Sequence, residues 1–362
     1  MGTDGIEEIS ACRPGDRHDQ VALFNLCFGK RDGERVLAWR YDQNPHGRPI
    51  QLLTRDAGRA VSGYACNPRR ALARGAAAAT VGQTGDVMTD PGWRGRGLFS
   101  DLDRGAMRAT AKAGWPAVFG LPNRKSEPLF TGKLGWTAVG RIRPWSFVLA
   151  ANADARKERQ RAGRLASVAT PWACWLGKRA RRRMATHAAG QLAARPLTRF
   201  DDAVDPLWRA VAADYDWMIQ RDASYLNWRF IDAPSGRFRA LGVFDNDGHM
   251  RGYAVVQLPL EEAPVGYVVD LLARDAQASA CAMDAALSLL QTEGASIARA
   301  WAIDGSSWNR ELVGAGFRAP KAADYKVVIA MVHDPEHPLG MAALDPARWY
   351  FTDGDRDDEL VS

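Results

Sequence analysis

The sequence predicts an α/β protein built from two copies of one fold, each a mixed twisted sheet flanked by helices. Three observations carry this: a long internal repeat, a strand hairpin opening each copy, and a strand–turn–helix passage in the first copy. At roughly 100–200 residues per domain, a chain of 362 residues has room for both copies with a core in each. Trp39-Arg40-Tyr41, Pro45-His46-Gly47-Arg48 and Gly63-Tyr64-Ala65 recur 189 residues later as Trp228-Arg229-Phe230, Pro234-Ser235-Gly236-Arg237 and Gly252-Tyr253-Ala254. Further on, Leu134-Gly135-Trp136 matches Ala315-Gly316-Phe317 at an offset of 181, so the second copy is slightly shorter.

The elements follow in order. Ile50 to Thr54 and Arg239 to Phe244 are expected strands, each followed by a polar turn and a second strand through the Gly-Tyr-Ala triplet. The expected organisation is an N-terminal domain over 1–150, a basic helical linker over 151–195, a C-terminal domain over 196–335, and an aromatic and acidic tail over 336–362.

Composition narrows the function classes. Apolar residues make up 46% and charged residues 25%, which excludes a disordered or fibrous chain. The net charge of +6, with a pI near 9.2, is mild for this length, and no nucleic-acid partner is expected. The five cysteines are scattered and form no C-x-x-C pair, and the six histidines show no metal spacing, so no metal site is expected. The N-terminus lacks the basic start and apolar stretch of a signal peptide, and a cytoplasmic location is expected.

Positive charge concentrates in the linker. Ten Arg and Lys between 156 and 183 face only Asp154 and Glu158, and Trp172, Trp175 and Leu176 adjoin the second basic cluster. One reading is a solvated linker helix packing its tryptophans on a domain. The other is peripheral contact with an anionic membrane or acceptor through 172–183.

The most informative stretch runs from Gly85 to Leu102: a short strand, Pro91-Gly92, a basic glycine-rich turn Arg94-Gly95-Arg96-Gly97, and an amphipathic helix beginning Leu98-Phe99. Backbone N–H groups at such a helix start bind phosphate, because glycines allow close approach and the helix dipole favours negative charge. Arg94 and Arg96 would add charge-assisted hydrogen bonds. Downstream come Asn123, Ser126, Leu129-Phe130, Lys133 and Gly135-Trp136, a strand end, a short helix and a turn into a further strand.

In order and spacing these residues resemble the GNAT superfamily of acetyl-CoA-dependent acyltransferases, over roughly 20–148 and, through the repeat, more weakly over 200–332. The resemblance implies acetyl-CoA as co-substrate, bound at a splay between strands of the first sheet by Met88, Thr89, Arg94, Gly95, Arg96, Gly97, Leu98, Phe99, Asn123 and Phe130. Three residues depart from the family pattern. Phe99 replaces the last small residue of the pyrophosphate loop, Phe130 stands where a tyrosine general acid is usual, and Ser126 replaces an alanine. The second copy has Val268 to Ala276 at the corresponding turn, without glycine and with Asp275, so a single cofactor site in the N-terminal half is expected.

An alkyl amine, with a pKa near 10.4, must lose a proton to attack a thioester. Asp86 is the carboxylate on the motif strand and the candidate general base, a role weighed against that of a turn-capping residue. Strand N–H groups near Met88 or Thr89 would hold the developing oxyanion, as the resemblance implies. The thiol leaves at a pKa of roughly 8.5, helped by water or by Ser126, whose alternative role is helix N-cap. The tail, Trp349 to Glu359, is expected to be an aromatic anchor with a solvated acidic end; its other reading is carboxylates that bind the acceptor's ammonium.

The expected activity is acetylation of a primary amine on a small, lipid-linked or nucleotide-linked acceptor. By analogy with tandem GNAT proteins encoded among bacterial surface-polysaccharide genes, which this chain resembles, the acceptor would be an amino sugar. The alternatives are aminoacyl transfer of the peptidoglycan-bridge type and a non-catalytic acyl-CoA-binding or membrane-associated module. If the linker binds an anionic surface or acceptor, neutralising Arg181, Arg182 and Arg183 should release the protein from anionic vesicles or raise the acceptor KM, and added salt should do the same. Indifference in both assays would leave the solvated-linker reading.

Overall fold

The computed structural model describes residues 9–150, 191–261, 263–319 and 325–356. Residues 151–190 of the expected linker, with its whole basic cluster, lie outside them, as do residues 357–362, whereas the expected linker's last residues, from Leu192, lie in a strand of the second unit. The described residues form an α/β fold of mixed twisted sheets flanked by helices, in two compact units. One comprises Met1–Leu72, Ala76–Val139 and Val327–Leu344; the other comprises Ala73–Gly75, Gly140–Lys326 and Asp345–Ser362.

The first unit contains β1 (Ser10–Ala11), α1 (Arg17–Phe28), α2 (Glu34–Tyr41), β2 (Ile50–Asp56), β3 (Arg59–Leu72), β4 (Ala79–Thr89), α3 (Leu98–Lys112), β5 (Ala117–Gly120) and α4 (Glu127–Lys133). Strands β1 to β4 pair antiparallel in sequence order, and β4 pairs in parallel with β5. Helix α3 follows from its sequence: Leu98, Leu102, Ala106 and Thr110 recur at helical spacing and are buried, as is Met107. It covers one sheet face with Tyr64, Phe130, Trp136 and Trp115, while α1 and α2 cover the other with Leu23, Phe24, Leu37 and Tyr41.

The second unit receives β6 (Thr137–Val148), which begins in the first unit, and adds β7 (Leu192–Leu197), α5 (Val204–Ala212), β8 (Trp217–Ile219), α6 (Ala223–Leu226), β9 (Phe238–Asp245), β10 (Met250–Gln257), β11 (Val265–Ala273), α7 (Ala276–Thr292), β12 (Ile297–Ile303) and α8 (Ser307–Gly314). Its strand order is β6-β12-β11-β10-β9-β7. A last strand, β13 (Lys326–Val332), and helix α9 (Pro338–Ala342) belong to the first unit, whereas β14 (Trp349–Tyr350) returns to the second and pairs with β8.

The linear boundaries expected at 150, 196 and 335 differ from the compact units, which place Ala73–Gly75 and Gly140–Lys326 in the second unit, return to the first at Val327–Leu344 and to the second at Asp345; part of the difference is an exchange of strands. Strand β5 takes β13, from the second copy, as its antiparallel neighbour through Ala117–Gly120, and β12 takes β6, from the first copy, through Ile297–Ile303. Each exchanged strand closes a repeat copy and supplies the backbone partners that its neighbour's ladder needs. The acidic part of the tail is not solvated as far as Arg356: Asp353 and Asp355 are buried, at 0% and 1% exposure.

One buried acid in the first unit makes the fold pH-sensitive. Asp103, on the sheet-facing side of α3, accepts hydrogen bonds from Tyr64 Oη at 2.8 Å and Trp136 Nε1 at 3.2 Å. Burial pushes its carboxyl up to about 6 against the pull of those bonds. A carboxyl raised above its unfolded value of about 3.9 contributes stability that is full below that value and is lost as pH rises through about 6. Asp103→Asn should flatten the decline in thermal stability between about pH 4 and 7, a difference on the order of 2 kcal/mol. Parallel pH profiles of wild type and variant would show that Asp103 does not carry it.

Candidate active site

The site starts from an irregularity in β4. Gly63 pairs with Met88 and Ala65 with Gly85, so two steps along β3 face three along β4. The extra residue is a β-bulge at Asp86 and Val87, which bends the strand and frees backbone groups from the ladder. Asp86 has φ +47°, a left-handed conformation that costs a non-glycine residue on the order of 1 kcal/mol or more. The two strands β4 and β5 pair over Gly82–Thr84 and Val118–Gly120, and β4 runs on to Thr89.

Helix α2 holds the bulge. Arg40 Nη1 donates to Asp86 Oδ2 at 2.5 Å, and Tyr41 Oη donates to the same oxygen. Both partners of the ion pair are largely buried, with side-chain exposures of 9% and 15%. Burial and the Asp86 charge hold the Tyr41 phenol well above its ordinary range, so it stays a donor. The guanidinium of Arg40 also lies over the Phe24 ring at 5.5 Å. Arginine at the repeated Trp-Arg-Tyr/Phe triplet is thus a structural clamp, and sequence reasoning missed it. The available signal was an arginine kept in both copies between two aromatic residues.

In the turn that starts five residues past the strand end, the glycines take left-handed backbone conformations. Gly95 and Gly97 have φ +79° and +83°. A Cβ at Gly95 would meet nothing within 4 Å, and one at Gly97 only Asp101 Oδ2 at 3.9 Å. Backbone conformation, together with open space above the turn, accounts for these glycines. Gly97 is the N-cap of α3 with no side chain serving as cap, so the first N–H groups of α3, at Leu98 and Phe99, start an uncapped helix end. Arg94 Nε donates to the Thr89 carbonyl at 3.3 Å, and the Arg96 guanidinium stacks over Trp93 at 4.2 Å; both arginines are exposed. Exposed glycine N–H groups, an uncapped helix start and two guanidinium groups fit a diphosphate.

The other residues singled out from sequence divide. Met88 is buried against α1 and α2, and its carbonyl accepts from Ser62 Oγ at 2.8 Å; Thr89 Oγ1 lies 2.9 Å from the same hydroxyl. Phe130 is buried edge-on between Phe99 and Trp136, at ring separations of 5.1 and 5.2 Å, which makes it part of the core under α3. Asn123 caps its turn, accepting from the amides of Lys125 and Ser126. Ser126 takes the N-cap position of α4 without a side-chain cap bond, its hydroxyl lying 3.3 Å from Asn123 Oδ1.

The corresponding turn of the second unit is closed from within. Asp275 is the N-cap of α7, and its carboxylate accepts from the amides of Gln277 and Ala278 at 3.1 and 2.9 Å. Arg251 pairs with it at 2.8 Å. Asp275 thus gives α7 the negative charge that a phosphate would give α3. Among the described residues one group of metal-type donors comes together, Asp245, Asp247 and His249 at the β9–β10 turn, where Asp245 Oδ1 accepts from the backbone of both others. No helix among the described residues is long and apolar enough to cross a membrane.

Comparison with known proteins agrees with this geometry. An acetyltransferase (GNAT) domain family matches residues 8–139. Those residues are a GNAT domain. Over the whole chain, solved structures of GNAT proteins, a tandem GNAT protein among them, share its fold at low identity. A GCN5-related N-acetyltransferase from Kribbella flavida is 15% identical with a TM-score of 0.60, covering 92% of this chain and 73% of that one. A tandem GNAT protein from the clavulanic acid biosynthesis pathway is 15% identical, TM-score 0.54, covering 92% and 100%. Saccharomyces cerevisiae N-myristoyltransferase, solved with bound myristoyl-CoA, is 13% identical, TM-score 0.57, covering 92% and 80%. No curated protein matches the sequence.

If the Arg40–Asp86 pair holds the bulge, Arg40→Met should destabilise the protein by about 3 kcal/mol by leaving a carboxylate without its buried counter-ion. Adding Asp86→Asn should restore a substantial part of that loss. Urea unfolding of the single and double variants reads both. Equal losses in the two would mean the pair is not what the fold depends on.

Proposed function

We propose that this protein is an acyl-CoA-dependent N-acyltransferase that uses acetyl-CoA to acetylate a primary amine, at a single site in the first unit. The observation that carries the proposal is the placing of two features on one strand and the turn after it. The bulge at Asp86 frees backbone groups where β4 outruns its pairing with β5, and the Arg94–Gly97 turn offers an uncapped helix start five residues beyond the strand. The turn suits a diphosphate and the bulge suits a thioester carbonyl, which needs N–H donors aimed at the oxygen that gains charge. The match of residues 8–139 to an acetyltransferase domain family supports the same reading.

Arg94, Arg96 and the N–H groups of Gly95, Gly97, Leu98 and Phe99 hold the pyrophosphate in this proposal, with Thr89, Met88 and Asn123 along the path of the acyl arm. The amine attacks the thioester carbonyl carbon, forming the C–N bond as the C–S bond breaks. The amine proton passes to the Asp86 side, directly to Oδ1 or through water, because Oδ2 is engaged by Arg40 and Tyr41. The thiolate leaves unaided or takes a proton from water or Ser126. Phe130 cannot donate one, and no acid is required for a leaving group with a pKa of roughly 8.5. An amino sugar is the acceptor class to test first.

Thiol release with acetyl-CoA and a panel of amines tests the proposal. Arg94→Ala should weaken acetyl-CoA binding about tenfold or more, the loss of one charge-assisted bond. Asp86→Asn should lower kcat/KM by about 10²–10⁴ at neutral pH and less at high pH, where the amine is already free. Unchanged acetyl-CoA affinity in both Arg94→Ala and Gly97→Val would remove the site. Wild-type kcat at every pH in Asp86→Asn would place the base elsewhere.

A further inference from the structure

In the second unit β11 and β12 pair in parallel over Val265–Tyr267 and Ile297–Arg299, and both strands run on, to Ala273 and Ile303. Backbone and polar side chains along the extended parts must be satisfied if they are buried. The segment that satisfies them comes from far down the chain. Asp353 Oδ2 accepts from the amide of Trp301, on β12, at 2.8 Å. Thr352 Oγ1 donates to Asp270 Oδ1, on β11, at 2.8 Å. One short turn, Thr352 to Arg356, thereby bridges both strands beyond their pairing.

The turn is held as a ligand is held. Arg229, the repeat equivalent of Arg40, donates through Nε to the Gly354 carbonyl at 3.0 Å and through Nη2 to the Arg356 carbonyl at 3.2 Å. Arg221 pairs with Asp270 at 3.2 Å and Asp355 at 2.5 Å. Arg356 pairs with Asp353 at 2.8 Å and lies over the Trp301 ring at 4.3 Å. Two arginines thus meet three aspartates while Arg229 holds two carbonyls, and all six side chains are buried. Gly354 passes so close to the wall that a Cβ would lie 2.9 Å from Phe230 Cζ. Before the turn, Trp349 and Phe351 are fully buried, and Trp349 stacks on Trp217 at 4.6 Å.

We propose that the slot between the extended parts of β11 and β12 is a peptide-binding site occupied in cis by the chain's own Thr352-Asp353-Gly354-Asp355-Arg356 turn, which acts as a permanent ligand of the second unit. Asp275 at the start of α7 likewise caps the helix end of the same unit from within the chain. The acidic turn is a matched occupant: each carboxylate meets an arginine or a strand amide, and each arginine of the wall meets a carboxylate or carbonyl of the turn. This inference is independent of the acyl-transfer proposal, and its test does not use activity.

Hydrogen exchange of the full-length protein, with Asp353→Ala and Gly354→Val as separate variants, tests it. The expected result is exchange at least tenfold faster at the Trp301 amide and across 349–356 in both variants, with protection in β4 and β5 unchanged. The apparent Tm should fall by several degrees, the scale expected for the loss of one buried polar contact in a unit of this size. Should either variant fail to fold, the milder Asp353→Asn, which keeps one acceptor oxygen but not the ion pair with Arg356, should give a smaller increase at the same amides. Unaltered exchange at Trp301 and 349–356 in the variants that fold would overturn the proposal. So would protection of Trp301 in wild type on adding coenzyme A, which would show an exchangeable site rather than one filled in cis.

Discussion

One extra residue in β4 is the constraint on which the rest of the site depends. A regular strand would keep pairing with β3 to its end and leave no backbone group for a ligand. Inserting Asp86 in a left-handed conformation breaks that pairing but is costly unless something holds it. Arg40 and Tyr41 do so from α2. Ion pair and bulge therefore stand or fall together, and the helix that supplies the clamp is packed against the strand it clamps. The glycine turn then needs no support of its own, since φ above zero is inexpensive for Gly95 and Gly97.

The second unit shows what the same plan becomes without a ligand. Arg229 keeps the position of Arg40 but grips carbonyls of the C-terminal turn, and Asp275 supplies the negative charge at a helix start that in the first unit is left uncapped. At both of these positions the second unit holds an internal acceptor. Internal partners at those places favour stability. Two copies of one fold can divide the work in this way, one open and one closed.

Much of this was legible in the sequence, and the failures have physical causes. The hairpins, the Arg94–Gly97 turn and helix α3 were readable because glycine placement and apolar periodicity are local signals. The exchange of β6 and β13 was not, because strand pairing is a non-local choice and nothing within either segment says which partner it will find. The bulge gave no signal beyond an aspartate, a residue that tolerates the left-handed region. Asp103 could have been noticed: it lies in the buried stripe of α3, four residues before Met107, where an acid needs partners. The burial of Asp353 and Asp355 could not, because an acidic tail looks solvated until Arg221 and Arg229, more than a hundred residues earlier, are placed beside it.

The central claim is that the first unit is open to acyl-CoA and the second is not. Calorimetric titration of the intact chain with acetyl-CoA, combined with amide protection mapping of the complex, tests it most directly. The account predicts one molecule bound per chain, with protection gained at Asp86–Val87 and Gly95–Phe99 and none gained at Asp275–Ala278. Two molecules per chain, or protection confined to the second unit, would contradict it.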